Sequence, residues 1–232
     1  MPADVSSHLI DQIASISIKT EPYFYFHSEK IFPNEFYKEM LDTIPDISLF
    51  SPLPSYPERH SFNLTEENID KLPDSCFLFW NNFSKNILNE KFLLALLSQF
   101  QPQLKMRFGE TFSHTNLDIT ASLTIDRSNY SIGPHTDHPK KVLTLLFYLP
   151  KSSDQIDLGT SIYVPRDRNF RCPGIWHHYF EDFKKIYTAP YVPNSVFGFF
   201  KSDISFHGVE PLGNQPKERI VLCYTVFERT EN

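Results

Sequence analysis

The sequence predicts a mainly β domain, an antiparallel sandwich or barrel packed against N-terminal helices. Three observations lead there. After residue 116, short apolar runs follow one another between Pro, Gly, Asn and Asp turns, while before it apolar residues recur at helical spacing. Aromatic residues reach 15%, with 22 Phe and 11 Tyr, which suits aromatic-rich strands and a substantial core. Seven Gly against 18 Pro argue against a flexible or repetitive chain, and no internal repeat or low-complexity tract is found.

The elements follow in order. PYFYFHSEKIF (22–32) reads as an aromatic strand. Pro33 opens a helix through Glu35, Phe36, Met40 and Leu41, because proline fits a first helical turn. Residues 45–57, with Pro45, Pro52, Pro54 and Pro57, read as a loop. Asp74 is placed as an N-cap, with Phe77, Trp80, Ser84 and Leu88 along one side of the helix after it. A further helix over 90–100 carries Phe92, Leu93, Leu96, Leu97 and Phe100. The period then changes to two. Ile119, Ala121, Leu123 and Ile125 alternate with Thr120, Ser122, Thr124 and Asp126. VLTLLFYLP (142–150), TSIYVP (160–165), SVFGFF (195–200), DISFHGV (203–209) and RIVLCYTVF (219–227) complete the strand set. Residues 166–190 interrupt it and are expected outside the sheet core, as a lid or binding segment.

The 232 residues suffice for one well-buried domain, and 41% hydrophobic with 22% charged residues fits a soluble globular protein. A formal charge of −6 and a pI near 5.8 give no basic footprint for nucleic acid. Lys140-Lys141 and Lys184-Lys185 read as solvated surface. Cys76, Cys172 and Cys223 are too far apart for a zinc-spaced pair and odd in number for a disulfide framework. The N-terminus lacks a basic start and a continuous apolar stretch, so no signal peptide is expected. No run approaches the roughly 20 apolar residues that span a bilayer. A reduced, cytoplasmic protein without membrane or nucleic-acid partners is the expectation.

The chemistry concentrates in four residues. His135 and Asp137 are two apart, His207 lies far downstream in Ser-Phe-His-Gly-Val, and Arg219 follows twelve positions later. On an extended chain His135 and Asp137 point the same way, so both reach one ion. Two imidazoles and a carboxylate cover one face of an octahedral Fe(II) and leave the opposite face for a chelating cosubstrate and O2. Arg219, Val221, Cys223 and Thr225 share one strand face, expected inside the barrel with Arg219 at the mouth. An interior arginine is costly without an anion, and a bound dicarboxylate would compensate it. His138 points away from Asp137, and His177-His178 read as a loop pair near the pocket.

PHTDHPKKVLTLLFYLP, LGTSIYVP, PNSVFGFF, SFHGVEP and ERIVLCYTVF resemble the Fe(II)/2-oxoglutarate-dependent dioxygenases, in style the prolyl 4-hydroxylase-like branch, over about residues 116–228. PYFYFHSEKIFPNEFYKEML is similar to the strand–helix entry of such enzymes. The resemblance implies a double-stranded β-helix, a jelly-roll variant, as the catalytic core (116–228), packed against an N-terminal strand and helical layer (1–115) in a single domain. It implies His135, Asp137 and His207 as iron ligands and Arg219 as the residue for the distal carboxylate of 2-oxoglutarate. Fe(II), 2-oxoglutarate and O2 are the implied cofactors, with ascorbate as a supporting reductant. Two departures stand out. Leu158-Gly159-Thr160 keeps one glycine where many members have two, and Asp126 stands nine residues before His135 where many carry a tyrosine. Thr144 and Thr225 become candidate cosubstrate contacts on strand parity alone.

The implied reaction oxidises an unactivated C–H bond while 2-oxoglutarate is converted to succinate and CO2. A carboxylate at position 137 favours hydroxylation over halogenation, which needs a small residue there. A cupin-like metal-dependent isomerase and a non-enzymatic β-sandwich binding module remain as alternatives. The 45–62 and 151–190 segments suit a polar small molecule, a sugar or a peptide side chain as substrate, and nothing in the sequence chooses among these or sets the oligomeric state.

Overall fold

A computed structural model describes residues 2–174, 176–214 and 218–229. Eleven strands among these form two antiparallel sheets. The larger sheet runs in the order β1 (Tyr25–Glu29), β9 (Ser195–Phe200), β6 (Lys141–Tyr148), β11 (Arg219–Glu228), β4 (Leu117–Asp126), β3 (Tyr56–Asn63), β2 (Ser51–Leu53). The smaller runs β5 (Ile132–His135), β10 (His207–Val209), β7 (Ser161–Pro165), β8 (Phe183–Thr188). Face to face, with chain-distant strands as neighbours, they make the jelly roll that the sequence resemblance implies.

Strand parity divides the molecule into layers. Leu143, Leu145 and Phe147 of β6 and Leu222, Tyr224 and Val226 of β11 face the helices and join one large core with them. Tyr148, Val221, Phe197 and Phe199 point the other way and pack with Ile162 between the sheets. Both faces of the central strands are therefore covered, which explains why VLTLLFYLP reads as a continuous apolar run. The helical layer consists of α1 (Pro2–Ala14), α2 (Asn34–Asp42), the single turn α3 (Glu66–Ile69), α4 (Asp74–Asn82), α5 (Glu90–Ser98) and α6 (Gln101–Phe108). Leu9, Ile13, Met40, Trp80, Phe92, Leu96 and Leu104 from these helices are fully buried. Among the described residues no helix is long and apolar enough to cross a membrane.

Several local expectations change. Asp74 is the first helical residue of α4 rather than its cap; Pro73 precedes the helix and no side chain caps it. Within the proline-rich loop, β2 and β3 form a hairpin, and β3 pairs with β4 from Arg59↔Asp126 to Asn63↔Ser122. Long-range pairing with β4 stabilises a segment whose local composition reads as loop. Similarly, β8 lies inside the 166–190 section and pairs with β7, so only part of that section is outside the sheets. Helices α1 and α6 were not expected from the sequence.

Candidate metal and cosubstrate site

β5 ends at His135, and its partner β10 begins at His207; the two residues are directly paired across the strands. Asp137 follows just beyond the end of β5. The three side chains are buried, and one donor atom from each lies within 4.8 Å of the other two. The sequence-predicted triad therefore meets in space. His177 packs against His135 with ring centroids 4.6 Å apart, without belonging to that cluster.

Hydrogen bonding prepares each group to hold a cation. The Nδ1 of His135 lies 2.9 Å from the Gly133 carbonyl, and the Nδ1 of His207 lies 2.9 Å from the Ser205 carbonyl. A carbonyl only accepts, so in each neutral ring Nδ1 carries the proton and Nε2 presents a lone pair. Burial pushes both imidazoles below their ordinary pKa, which keeps them neutral. Burial alone would raise the Asp137 carboxyl, but the Lys141 ammonium beside it holds it well below the carboxylate range. The Lys141 ammonium donates to Asp137 Oδ1 at 2.8 Å, and the Thr144 hydroxyl donates to Oδ2 at 2.7 Å. Two neutral imidazoles and an oriented, ionised carboxylate are the donor set that suits a divalent transition metal with open positions.

Lys141 is a correction. Expected at the surface, it has a side chain only 23% exposed and lines the cavity beside Asp137. No sequence pattern marks it, because its partner is identified only once the turn after Asp137 brings the two together.

A cavity of about 280 Å³ opens from the triad into the space between the sheets. Thr144 and Leu146 of β6, Val221 and Cys223 of β11, and Ser122 and Thr124 of β4 line it, with Arg219 and Thr160. Thr144 thus stands where parity places it, with its hydroxyl engaged by Asp137. Thr225, buried and paired across the strands with Thr144, is not among the lining residues.

Arg219 is not at the mouth. It is 1% exposed, whereas Cys223 farther along the same face is only partly buried. Its Nη1 donates to Asp126 Oδ2 at 2.6 Å, its Nε to the Leu158 carbonyl at 2.5 Å, and its Nη2 to the Thr160 hydroxyl at 3.2 Å. Tyr148 and Tyr191 rings lie 5.6 Å from the guanidinium carbon. The protein itself supplies a counter-ion to Arg219, which the sequence argument assigned to a bound dicarboxylate alone. Asp126, the departure from the resembling family, is that counter-ion. Arg59 of β3 grips the same carboxylate, Nε to Oδ1 at 2.5 Å and Nη2 to Oδ2 at 2.8 Å. The sequence reading missed Arg59, since only the register of β3 on β4 places it opposite Asp126.

The remaining histidines separate. His178 packs among Phe170, Phe183 and Phe206, and its backbone N–H donates to the Pro134 carbonyl at 2.9 Å. The adjoining His177 lies against His135, and the Tyr56 hydroxyl of the β2–β3 hairpin bonds its Nδ1. The 166–190 section and the proline-rich hairpin therefore meet beside His135.

Comparison with solved structures shows the fold: it is shared with structures of 2-oxoglutarate-dependent oxygenases. A Pseudomonas putida prolyl-4-hydroxylase superposes with a TM-score of 0.54 at 14% identity, covering 100% of both chains. The non-haem α-ketoglutarate-dependent carbocyclase SnoK from nogalamycin biosynthesis gives 0.52 at 10% identity, covering 98% of this chain and 85% of its own. HygX from Streptomyces hygroscopicus, with nickel, 2-oxoglutarate and hygromycin B bound, gives 0.50 at 8% identity, covering 88% of this chain and 82% of its own. No family model matches the sequence, and no curated protein does.

Proposed function

We propose that this chain is a non-haem Fe(II)- and 2-oxoglutarate-dependent dioxygenase that oxidises a C–H bond of a small molecule, a sugar or a peptide side chain. One observation carries the reading: two imidazoles with Nε2 lone pairs and an ionised carboxylate share a cavity with a buried arginine. His135, Asp137 and His207 would hold the ferrous ion, and Arg219 the distal carboxylate of 2-oxoglutarate. With both bound, the site would couple decarboxylation of 2-oxoglutarate to succinate and CO2 with oxidation of the substrate by O2.

The protein's own contribution is orientation and exclusion of water. Carbonyls of Gly133 and Ser205 fix the imidazole planes, while Lys141 and Thr144 fix the carboxylate. Arg219 is held in turn by Asp126, Leu158 and Thr160. Apolar residues between the sheets, Ile132, Leu146, Val209 and Val221, line the rest of the cavity. Tyr56 and His177 lie beside His135 and are the groups a substrate near the metal would meet.

The test is anaerobic reconstitution with Fe(II), followed by succinate formation from 2-oxoglutarate on admitting O2, screened over sugars, peptides and small polar molecules. Substrate-stimulated succinate release is expected. Iron-loaded protein that neither binds nor turns over 2-oxoglutarate would overturn the reading.

A further inference from the structure

Arg59, Asp126 and Arg219 form one row across three neighbouring strands, with Asp126 directly opposite both arginines. Both guanidinium groups converge on Asp126 Oδ2, Arg219 through Nη1 at 2.6 Å and Arg59 through Nη2 at 2.8 Å. The Asp126 side chain is wholly buried, and those of Arg219 and Arg59 are 1% and 21% exposed. Two cations thus share a single carboxylate. Burial opposes the charge on Asp126, yet the two arginines hold its pKa below the ordinary range, so the three residues together carry one net positive charge, with no second carboxylate on either arginine among the described residues. Both arginines line the cavity that leads from the metal triad, while Asp126 lies behind them. A further anion entering that cavity meets a charge deficit that the fold has left open.

We infer that Arg59 is a second anchor for the distal carboxylate of the 2-oxo acid, so that the pair of arginines, rather than Arg219 alone, receives it. The inference rests on the proposed cosubstrate and adds a residue from outside the strands that carry the family resemblance. Asp126 spaces the two forks: it takes Nε and Nη2 of Arg59 and Nη1 of Arg219, which sets both guanidinium planes around one point. Tyr130 fixes the Arg59 plane from one side, with its ring centroid 4.2 Å from the guanidinium carbon. An incoming carboxylate completes an alternation of two cations and two anions, an arrangement of charge-assisted hydrogen bonds that a monocarboxylate 2-oxo acid cannot make.

The experiment is anaerobic calorimetry on Mn(II)-loaded protein with two probes, 2-oxoglutarate and 2-oxopentanoate. The second has the same chain length and the same chelating end but no distal carboxylate. Arg59→Gln is expected to weaken 2-oxoglutarate by about tenfold and to leave 2-oxopentanoate within about twofold. Arg59→Lys restores the charge without the two-pronged grip on Asp126, and is expected to recover part of the 2-oxoglutarate affinity. Unchanged 2-oxoglutarate affinity in Arg59→Gln overturns the inference. So does equal weakening of both probes, or a Lys variant as poor as the Gln variant, since either outcome reduces Arg59 to a structural brace for Asp126. If 2-oxoglutarate fails to bind wild-type protein, the proposed function fails first. If its affinity depends on Arg219 and not on Arg59, the two-arginine anchor alone is wrong.

Discussion

At the scale of single residues, the site's chemistry is decided by which nitrogen and which oxygen each side chain leaves free. His135 and His207 each spend Nδ1 on a carbonyl and keep Nε2. His135→Ala or His207→Ala is therefore expected to abolish Fe(II)-dependent turnover of 2-oxoglutarate with little change in circular dichroism. Full activity of both variants with added Fe(II) and ascorbate would remove them from the ligand set. Asp137→Gly should reduce hydroxylation steeply, and the halide dependence of metal binding would show whether chloride enters the vacated position. Wild-type turnover in that variant would mean that Asp137 is not the carboxylate ligand. Arg219→Ala should raise the 2-oxoglutarate dissociation constant far more than that of Fe(II). A loss of about 3 kcal/mol from one buried charge pair is roughly a hundredfold in affinity. Arg219→Lys should recover only part of it, because an ammonium lacks the planar fork. Equal 2-oxoglutarate affinity in wild type and Arg219→Ala, by anaerobic titration, would make this arginine purely structural.

At the scale of elements, Gly174 and His178 lie close against the end of β5 and the residues just after it. A Cβ at Gly133 would overlap the His178 carbonyl oxygen, so only glycine lets that backbone approach. Gly174 has a φ of +133°, and a Cβ there would overlap the Asp137 carbonyl oxygen. Gly174→Ala is expected to cost about 1–3 kcal/mol in backbone strain and to displace Asp137. Its signature would be weaker Fe(II) binding together with a lowered melting temperature. A variant that melts lower but binds Fe(II) like wild type would show that the contact does not reach the triad. The β2–β3 hairpin acts at the same scale from the opposite side. It delivers Arg59 to Asp126 and Tyr56 to His177, so a proline-rich connection becomes part of the cavity wall.

For the whole molecule, the Arg59–Asp126–Arg219 row ties β3 through β4 to β11, the last strand in chain order and a central one in the sheet. Asp126→Asn removes the carboxylate shared by the two guanidinium groups and is expected to cost about 3–5 kcal/mol, read from chemical denaturation at neutral pH. The pH dependence has a definite sign. Burial works against the charged form of Asp126, but the arginines dominate and its pKa is depressed in the folded state. Its contribution is therefore complete above the unfolded-state value of about 3.9 and is lost as pH falls through the lower folded-state value. The stability difference between wild type and Asp126→Asn should be constant near neutrality and shrink only in strong acid. A difference that already disappears between pH 7 and 5 would assign the effect to another group.

The residue pattern alone indicated an antiparallel sheet class and put His135 and Asp137 on one side, because both rest on local periodicity, whereas His207 joins them only through its pairing with His135 across the strands. Period-two alternation separates the helix-facing Leu222, Tyr224 and Val226 from the cavity-facing Val221 and Cys223, and residues two apart on an extended chain bring His135 and Asp137 to one side. Relations across strands were decided by tertiary structure. Strand register fixes which residues become neighbours, and register is set by long-range pairing rather than by composition. That is why β2, β3 and β8 were not legible in segments that read as loop, and why Lys141 read as surface. It is also why Arg219 could be recognised as an interior cation while its depth, its counter-ion Asp126 and its companion Arg59 could not. A buried charge announces that a partner must exist, but only the folded sheet decides which side chain stands opposite.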